Sequence, residues 1–416
     1  MKKIYLEFFR GGSSIFILGW HLVFLAPTGH ATKFTGYWGT DALMMFFMLS
    51  GLVINLTETN KPKSTKAFLI NRFIRIYPLF VIGMLLAFLA LYITNTAFPS
   101  LTVIIGNFLL VSTMKDYMGY IVPSIESNLA VWSLSFEVAF YVLFAFTIGR
   151  NQKKAVLYWF IIALLAIPCY FLKVQHDVFY HLIAVFAFSS IWLVGYYIYE
   201  YRNLFYADKY VALFGLGVLP LISRMHFTWN FYDPFKYFIL SLFAVPFFRY
   251  CLQLPPAGKK IKLIYLIVPH IIIVYAALTI RYLPLANALA YSTLPYVYMG
   301  IGYLVNVLNI KTAVLNMVNK VGTVTGKYSY ALYITHFPLV FLFSKLFHNL
   351  WAYVFLSLPV IAFTAYSLET WLQPAIVNYF KKKRKQNLPQ EPPLNIPNAT
   401  TAETYKTGEV DIHTAL

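Results

Sequence analysis

Apolar runs of membrane-spanning length recur along nearly the whole chain, and no other feature restricts its fold as much. Each approaches the roughly 20 residues needed to cross a bilayer as a helix, and in lipid only helices and closed barrels satisfy their own backbone polar groups. The runs lie near residues 8–26, 40–56, 77–94, 130–148, 155–172, 181–199, 206–222, 236–252, 263–280, 286–308, 328–348 and 351–372. They predict an all-α, polytopic transmembrane helical bundle of about 10–12 spans. The stretch 101–113 is apolar but short, and reads as re-entrant or interfacial. Hydrophobic residues make up 60% of the chain and charged residues 12%, with a mean hydropathy of +0.65, which leaves no separate soluble domain.

The formal net charge of +18 gathers in the connections. Lys61, Lys63, Lys66, Arg72 and Arg75 follow the second run, Arg150, Lys153 and Lys154 a later one, then Arg202, Lys259 with Lys260 and Lys262, Lys311 with Lys320 and Lys327, and finally Lys381 to Lys385. Basic loops stay on the cytoplasmic side, so both termini are expected in the cytoplasm. This charge is expected to contact anionic lipid and not nucleic acid. Residues 1–380 form one membrane domain, and 381–416 a basic and then disordered tail rich in Pro, Asn, Thr and Glu. The apolar run after Met1-Lys2-Lys3 continues past signal-peptide length and reads as a retained first span. Cys169 and Cys251 lie in apolar segments as small hydrophobes, and no Cys/His spacing suggests a metal.

Four stretches place polar groups at membrane depth. In the first span Arg10 and His21 complete about three turns and share a face, about 16 Å apart along the axis. Intramembrane charge of this kind marks a functional site or a snorkelling anchor. Glu7, three residues before Arg10, is placed to orient it. Next, Arg72 and Arg75 present two forked, permanently charged donors suited to phosphate, or else a lipid-facing collar. Third, Trp132-Ser133-Leu134-Ser135-Phe136-Glu137 combines an aromatic plate, two hydroxyls and a carboxylate, a set that suits a sugar, although the serines alone also fit helix packing. Fourth is Ser329-Tyr330-Ala331-Leu332-Tyr333-Ile334-Thr335-His336, followed by Glu369 near the end of the last span. Asp41, His181, His270 and Arg281 sit at membrane borders and fit interfacial placement.

In order, these stretches resemble the membrane acyltransferase family often called acyltransferase-3. Glu7-Phe-Phe-Arg10-Gly11 through His21, Phe46-Phe-Met-Leu-Ser50-Gly51, Arg72-x-x-Arg75-Ile-Tyr-Pro78, Trp132-Ser-Leu-Ser135-x-Glu137 and Ser329-Tyr-x-Leu-Tyr333-x-x-His336-x-Pro338 carry the likeness. It covers approximately 1–150 and 325–375. Glu7 stands where Asp is usual and Thr335 where Trp is common, and the family core is usually drawn with ten spans, which puts an extra pair within 206–308.

The resemblance implies transfer of an acyl group, acetyl foremost and succinyl as an alternative, from cytoplasmic acyl-CoA to a hydroxyl of a cell-surface or exported carbohydrate. Acyl-CoA enters as co-substrate with no bound cofactor. His21, Arg10 and Glu137 are then expected to be catalytic, and Arg72 and Arg75 to bind the donor. Trp132, Ser133, Ser135, Glu7, Tyr330 and His336 are expected to bind or orient the acceptor. The expected setting is the plasma or inner membrane, beside polysaccharide-synthesis machinery. An exporter or flippase of lipid-linked saccharide shares the need for a polar cavity among many spans, but not for a reactive His21.

Overall fold

The computed structural model describes residues 4–27, 38–114, 121–149, 151–172, 177–225, 232–252, 255–279 and 284–386. Arg150, Arg281 and the tail beyond 386 lie outside them. The described chain is a helical bundle: α1 (Ile4–Phe24), α2 (Trp38–Asn60), α3 (Thr65–Ile93), a short α4 (Leu101–Phe108), α5 (Val131–Thr147), α6 (Gln152–Phe171) and α7 (Asp177–Glu200). It continues through α8 (Lys209–Arg224), α9 (Pro234–Cys251), α10 (Ile264–Thr279), α11 (Leu285–Val307), α12 (Lys311–Leu346), α13 (Leu350–Ser367) and α14 (Gln373–Gln386). Two parallel pairs of two-residue strands tie connections together: β1 (Ser112–Thr113) with β2 (Val122–Pro123), and β3 (Phe205–Tyr206) with β4 (Lys259–Lys260).

Every expected run is helical, but length and hydropathy single out fewer spans than the sequence suggests. Five described helices are long and apolar enough to cross a membrane, or up to six if the pair α11–α12, bent by 114°, counts as one span. Part of the shortfall has a local cause. Helices α5 and α10 are apolar but shorter, at 17 and 16 residues. Stretch 101–113 resolves into the eight-residue α4 followed by β1, not a span.

Two features of packing position the site. Helix α1 runs parallel to α12, since Phe8 meets Gly322, Arg10 meets Gly326 and His21 meets His336. Close approach depends on absent side chains: a Cβ on Gly322 would lie 2.9 Å from the Phe8 Cβ, and one on Gly326 2.8 Å from that of Glu7. Gly322-x-x-x-Gly326 is the small-residue spacing through which membrane helices approach closely. Helices α2 and α7 use the same device in antiparallel fashion, Gly51 against the Trp192 carbonyl and Gly195 against that of Met48. Around them lies a core dominated by aromatics, including Phe47, Phe140, Phe144, Phe188 and Trp192.

Candidate functional site

Pro78 shapes the first part of the site. Having no N–H, it leaves the Ile74 carbonyl of α3 without its helical donor. The Gln373 Nε2 of α14 bonds that carbonyl at 3.2 Å, and the Tyr330 hydroxyl of α12 donates to the Ile76 carbonyl at 2.8 Å. Arg75 sits on this opened turn, paired with Glu369 at 2.5 Å and lying 5.4 Å over the Tyr330 ring. Glu369 belongs to a π-helical turn, Leu368–Leu372, of the kind that recurs at functional sites. One turn earlier, Arg72 lies 5.4 Å from both the Phe68 and Tyr141 ring centres.

These arginines line a cavity together with Arg10, Glu137, Ser50, Tyr141, Ser329 and Tyr330. Arg10 donates to the Gly326 carbonyl at 2.6 Å, while the buried Nε atoms of Arg10 and Arg72 have no protein partner. Tyr141 donates to Glu137 and its hydroxyl lies 3.0 Å from Ser50. Three guanidiniums therefore face two carboxylates, Glu137 in the wall and Glu369 behind Arg75, so the cavity retains positive charge and open donors.

A second cavity is walled by Trp20, His21, Trp132, Tyr232, Tyr333 and Phe337, with Thr40 at its side. Trp132 and Tyr232 meet edge to face with centroids 5.1 Å apart, a surface on which sugar or other flat apolar faces can rest. His21 reaches this cavity from α1. Its Nδ1 lies 2.8 Å from Nε2 of His336, which is wholly buried. The His336 Nδ1 faces two carbonyls, Tyr333 at 2.8 Å and Leu332 at 3.1 Å. Carbonyl oxygens only accept, so His336 carries its proton on Nδ1 and accepts on Nε2. His21 must then donate from Nδ1, which leaves its Nε2 lone pair as a base.

The structure brings His21, Trp132 and His336 together, and separately Arg10, Arg72, Arg75, Glu137 and Tyr330. Several expected placements change. Glu137 shares the arginine cavity and not the chamber of Trp132, because the five residue steps from Trp132 to Glu137 advance about 7.5 Å along α5. Tyr330 likewise lines the arginine cavity, under Arg75. Glu7 forms no ion pair with Arg10 among the described residues; it packs on Gly326, whose carbonyl takes the guanidinium instead. Ser135 lines neither cavity and bonds the Val131 carbonyl at 3.4 Å. Ser133 bonds Tyr333 and the Ala130 carbonyl. His336 reaches the second cavity only through His21.

His181 and His270 are buried within the bundle. Asp41 accepts from Ser223 beside the fully buried Lys236, a cluster that Lys236, at a span start, hides in sequence. No group of three or more metal-binding side chains occurs among the described residues.

Fold and site thus define a polytopic helical membrane protein with a buried histidine pair at one cavity and a guanidinium cluster in a second. A family model described as an acyltransferase domain matches residues 3–275, and the chain belongs to this acyltransferase-3 family; it is a membrane acyltransferase. The match runs through 151–275, a region without recognisable motifs, so 206–275 belongs to the family domain, and it stops before His336. No curated protein and no solved structure matches the chain.

Proposed function

We propose that the protein transfers an acetyl group from cytoplasmic acyl-CoA to a carbohydrate hydroxyl across a plasma or inner membrane, with both termini on the cytoplasmic side. The observation that carries this reading is the tautomer of the histidine pair, which gives His21 a free Nε2 beside an aromatic chamber. The CoA phosphates lie on Arg72, Arg75 and Arg10, and the open Nε donors of Arg72 and Arg10 suit a polyanion. Arg10 and His21 are about 16 Å apart along α1, a distance for the pantetheine arm to bridge. The acceptor rests on Trp132, and its hydroxyl proton passes to His21 Nε2 as its oxygen bonds the thioester carbonyl carbon. The C–S bond then breaks, and the departing thiolate takes the proton from the imidazolium. His336 holds the ring and its tautomer, and Glu137 balances the guanidinium charge. No resident cofactor or metal is needed. An O-succinyl donor uses the same groups.

The test supplies radiolabelled acetyl-CoA to the cytoplasmic side of membrane vesicles and follows label in surface glycan, for intact protein and for His21→Ala at equal expression. Label that requires His21 supports the mechanism. Undiminished transfer by His21→Ala removes His21 as base, and absence of label with every acyl-CoA, while lipid-linked sugar still crosses, points to an exporter.

A further inference from the structure

The two cavities share no lining residue, and yet the reaction proposed above requires a group held in the first to reach His21 in the second. Two rings stand between them. Phe46 lines the arginine cavity, Tyr333 lines the histidine cavity, and the rings stack with centroids 6.2 Å apart and planes 26° from parallel. Tyr333 is held in place: its hydroxyl donates to the Ala130 carbonyl at 3.1 Å and contacts Ser133 Oγ, which also reaches that carbonyl at 3.0 Å. The Tyr333 carbonyl in turn accepts from His336 Nδ1, so the barrier and the histidine pair share one helical turn.

We propose that Phe46 and Tyr333 form a septum that sets the size of the acyl group. Rotation of Tyr333 away from Ala130 and Ser133 opens a passage bounded by Phe46, through which a short acyl thioester reaches His21 and a long one does not. Phe46 is the specificity determinant, since it meets the passage with a bare ring; Tyr333 is the moving leaf. The proposal rests on the acyl-transfer reading for its substrate, but not for the barrier itself.

The experiment compares acetyl-, butanoyl- and hexanoyl-CoA as donors for the full chain in vesicles, as wild type, Phe46→Leu and Phe46→Ala. A pocket commonly distinguishes single methylenes by about 10-fold or more. Phe46→Ala is therefore expected to raise the hexanoyl-to-acetyl ratio of kcat/KM about 10-fold or more, with Phe46→Leu between. A second readout needs no chemistry by the enzyme. Thr40→Cys, in the histidine cavity, is placed in a background of Cys169→Ser and Cys251→Ala, and its labelling by a charged methanethiosulfonate is timed from each side of sealed vesicles. Phe46→Ala is expected to speed labelling from the arginine-cavity side alone. If no donor yields product but labelling responds in this way, the septum stands and the acyl-transfer reading falls. Transfer with an unchanged donor ratio and unchanged labelling overturns the septum, and failure of both readouts removes both proposals.

Discussion

At the scale of single residues, hydrogen-bond direction decides which atom can act. His336 Nδ1 faces only acceptors, and that fixes the proton positions on both rings. His336→Ala takes away the side-chain acceptor of His21 Nδ1 and weakens the hold on the ring that keeps Nε2 free. The expected outcome is a fall in kcat of about 10²-fold with the KM for acyl-CoA kept, whereas His21→Ala falls by about 10²–10⁴-fold. Steady-state kinetics on the two variants checks the order. Arg72 poses a different question, because its planar fork lies over two rings and a lysine cannot reproduce that geometry. Arg72→Lys is expected to raise the KM for acyl-CoA about 10-fold while kcat changes little, the pattern of lost ground-state binding. Donor titrations in the same vesicles measure it. His21 and Arg75 are both visible in the sequence as costly charge at membrane depth. The partner of each is not, because His336 lies 315 positions from His21 and Glu369 lies 294 from Arg75.

At the scale of elements, the α1–α12 contact shows what periodicity can and cannot convey. The 3.6-residue repeat correctly sets Arg10 and His21 on one side of α1. It says nothing of which helix that side meets, and it assigns Glu137 a face without a depth relative to its neighbours. The glycines that choose the partner are ordinary by composition; Gly322 and Gly326 acquire meaning only when Phe8 and Glu7 stand against them. Substitution tests this directly. Gly326→Ala inserts a methyl 2.8 Å from the Glu7 Cβ, between backbones that cannot both yield. Overpacking of this type costs about 1–3 kcal/mol, and the displaced helix also carries the carbonyl that holds Arg10. Gly300→Ala on α11 meets nothing within 4 Å and replaces a poor helix former. Thermal unfolding in detergent is expected to separate the two: a lowered midpoint with reduced transfer for Gly326→Ala, and an unchanged or raised midpoint with full transfer for Gly300→Ala. Equal behaviour of the pair removes the helix contact as the positioning device.

At the scale of the molecule, the family match ends at residue 275, but the site does not. His336, Tyr330 and Tyr333 come from α12, and Glu369 and Gln373 from the segment after α13. The matched part supplies His21, the arginines and Trp132; the remainder supplies the groups that contact them, His336 on His21 and Glu369 on Arg75. The two parts meet along the α1–α12 contact, and within the unmatched part a sharp break, where Asn309 takes a positive φ of 52°, separates α11 from α12. Asn309 and Ile310 are exposed, and a surface break of this kind tolerates a cut in the chain. Residues 1–309 expressed alone are thus expected to insert but to lack transfer, because His21 has lost His336 and Arg75 has lost Glu369. Co-expression of 1–309 with 310–416 is expected to restore label in the glycan, and the restored activity should vanish again when the second piece carries His336→Ala and Glu369→Ala together. Activity from 1–309 alone would mean that the first piece orients its own base, and the histidine pair would then be a packing contact.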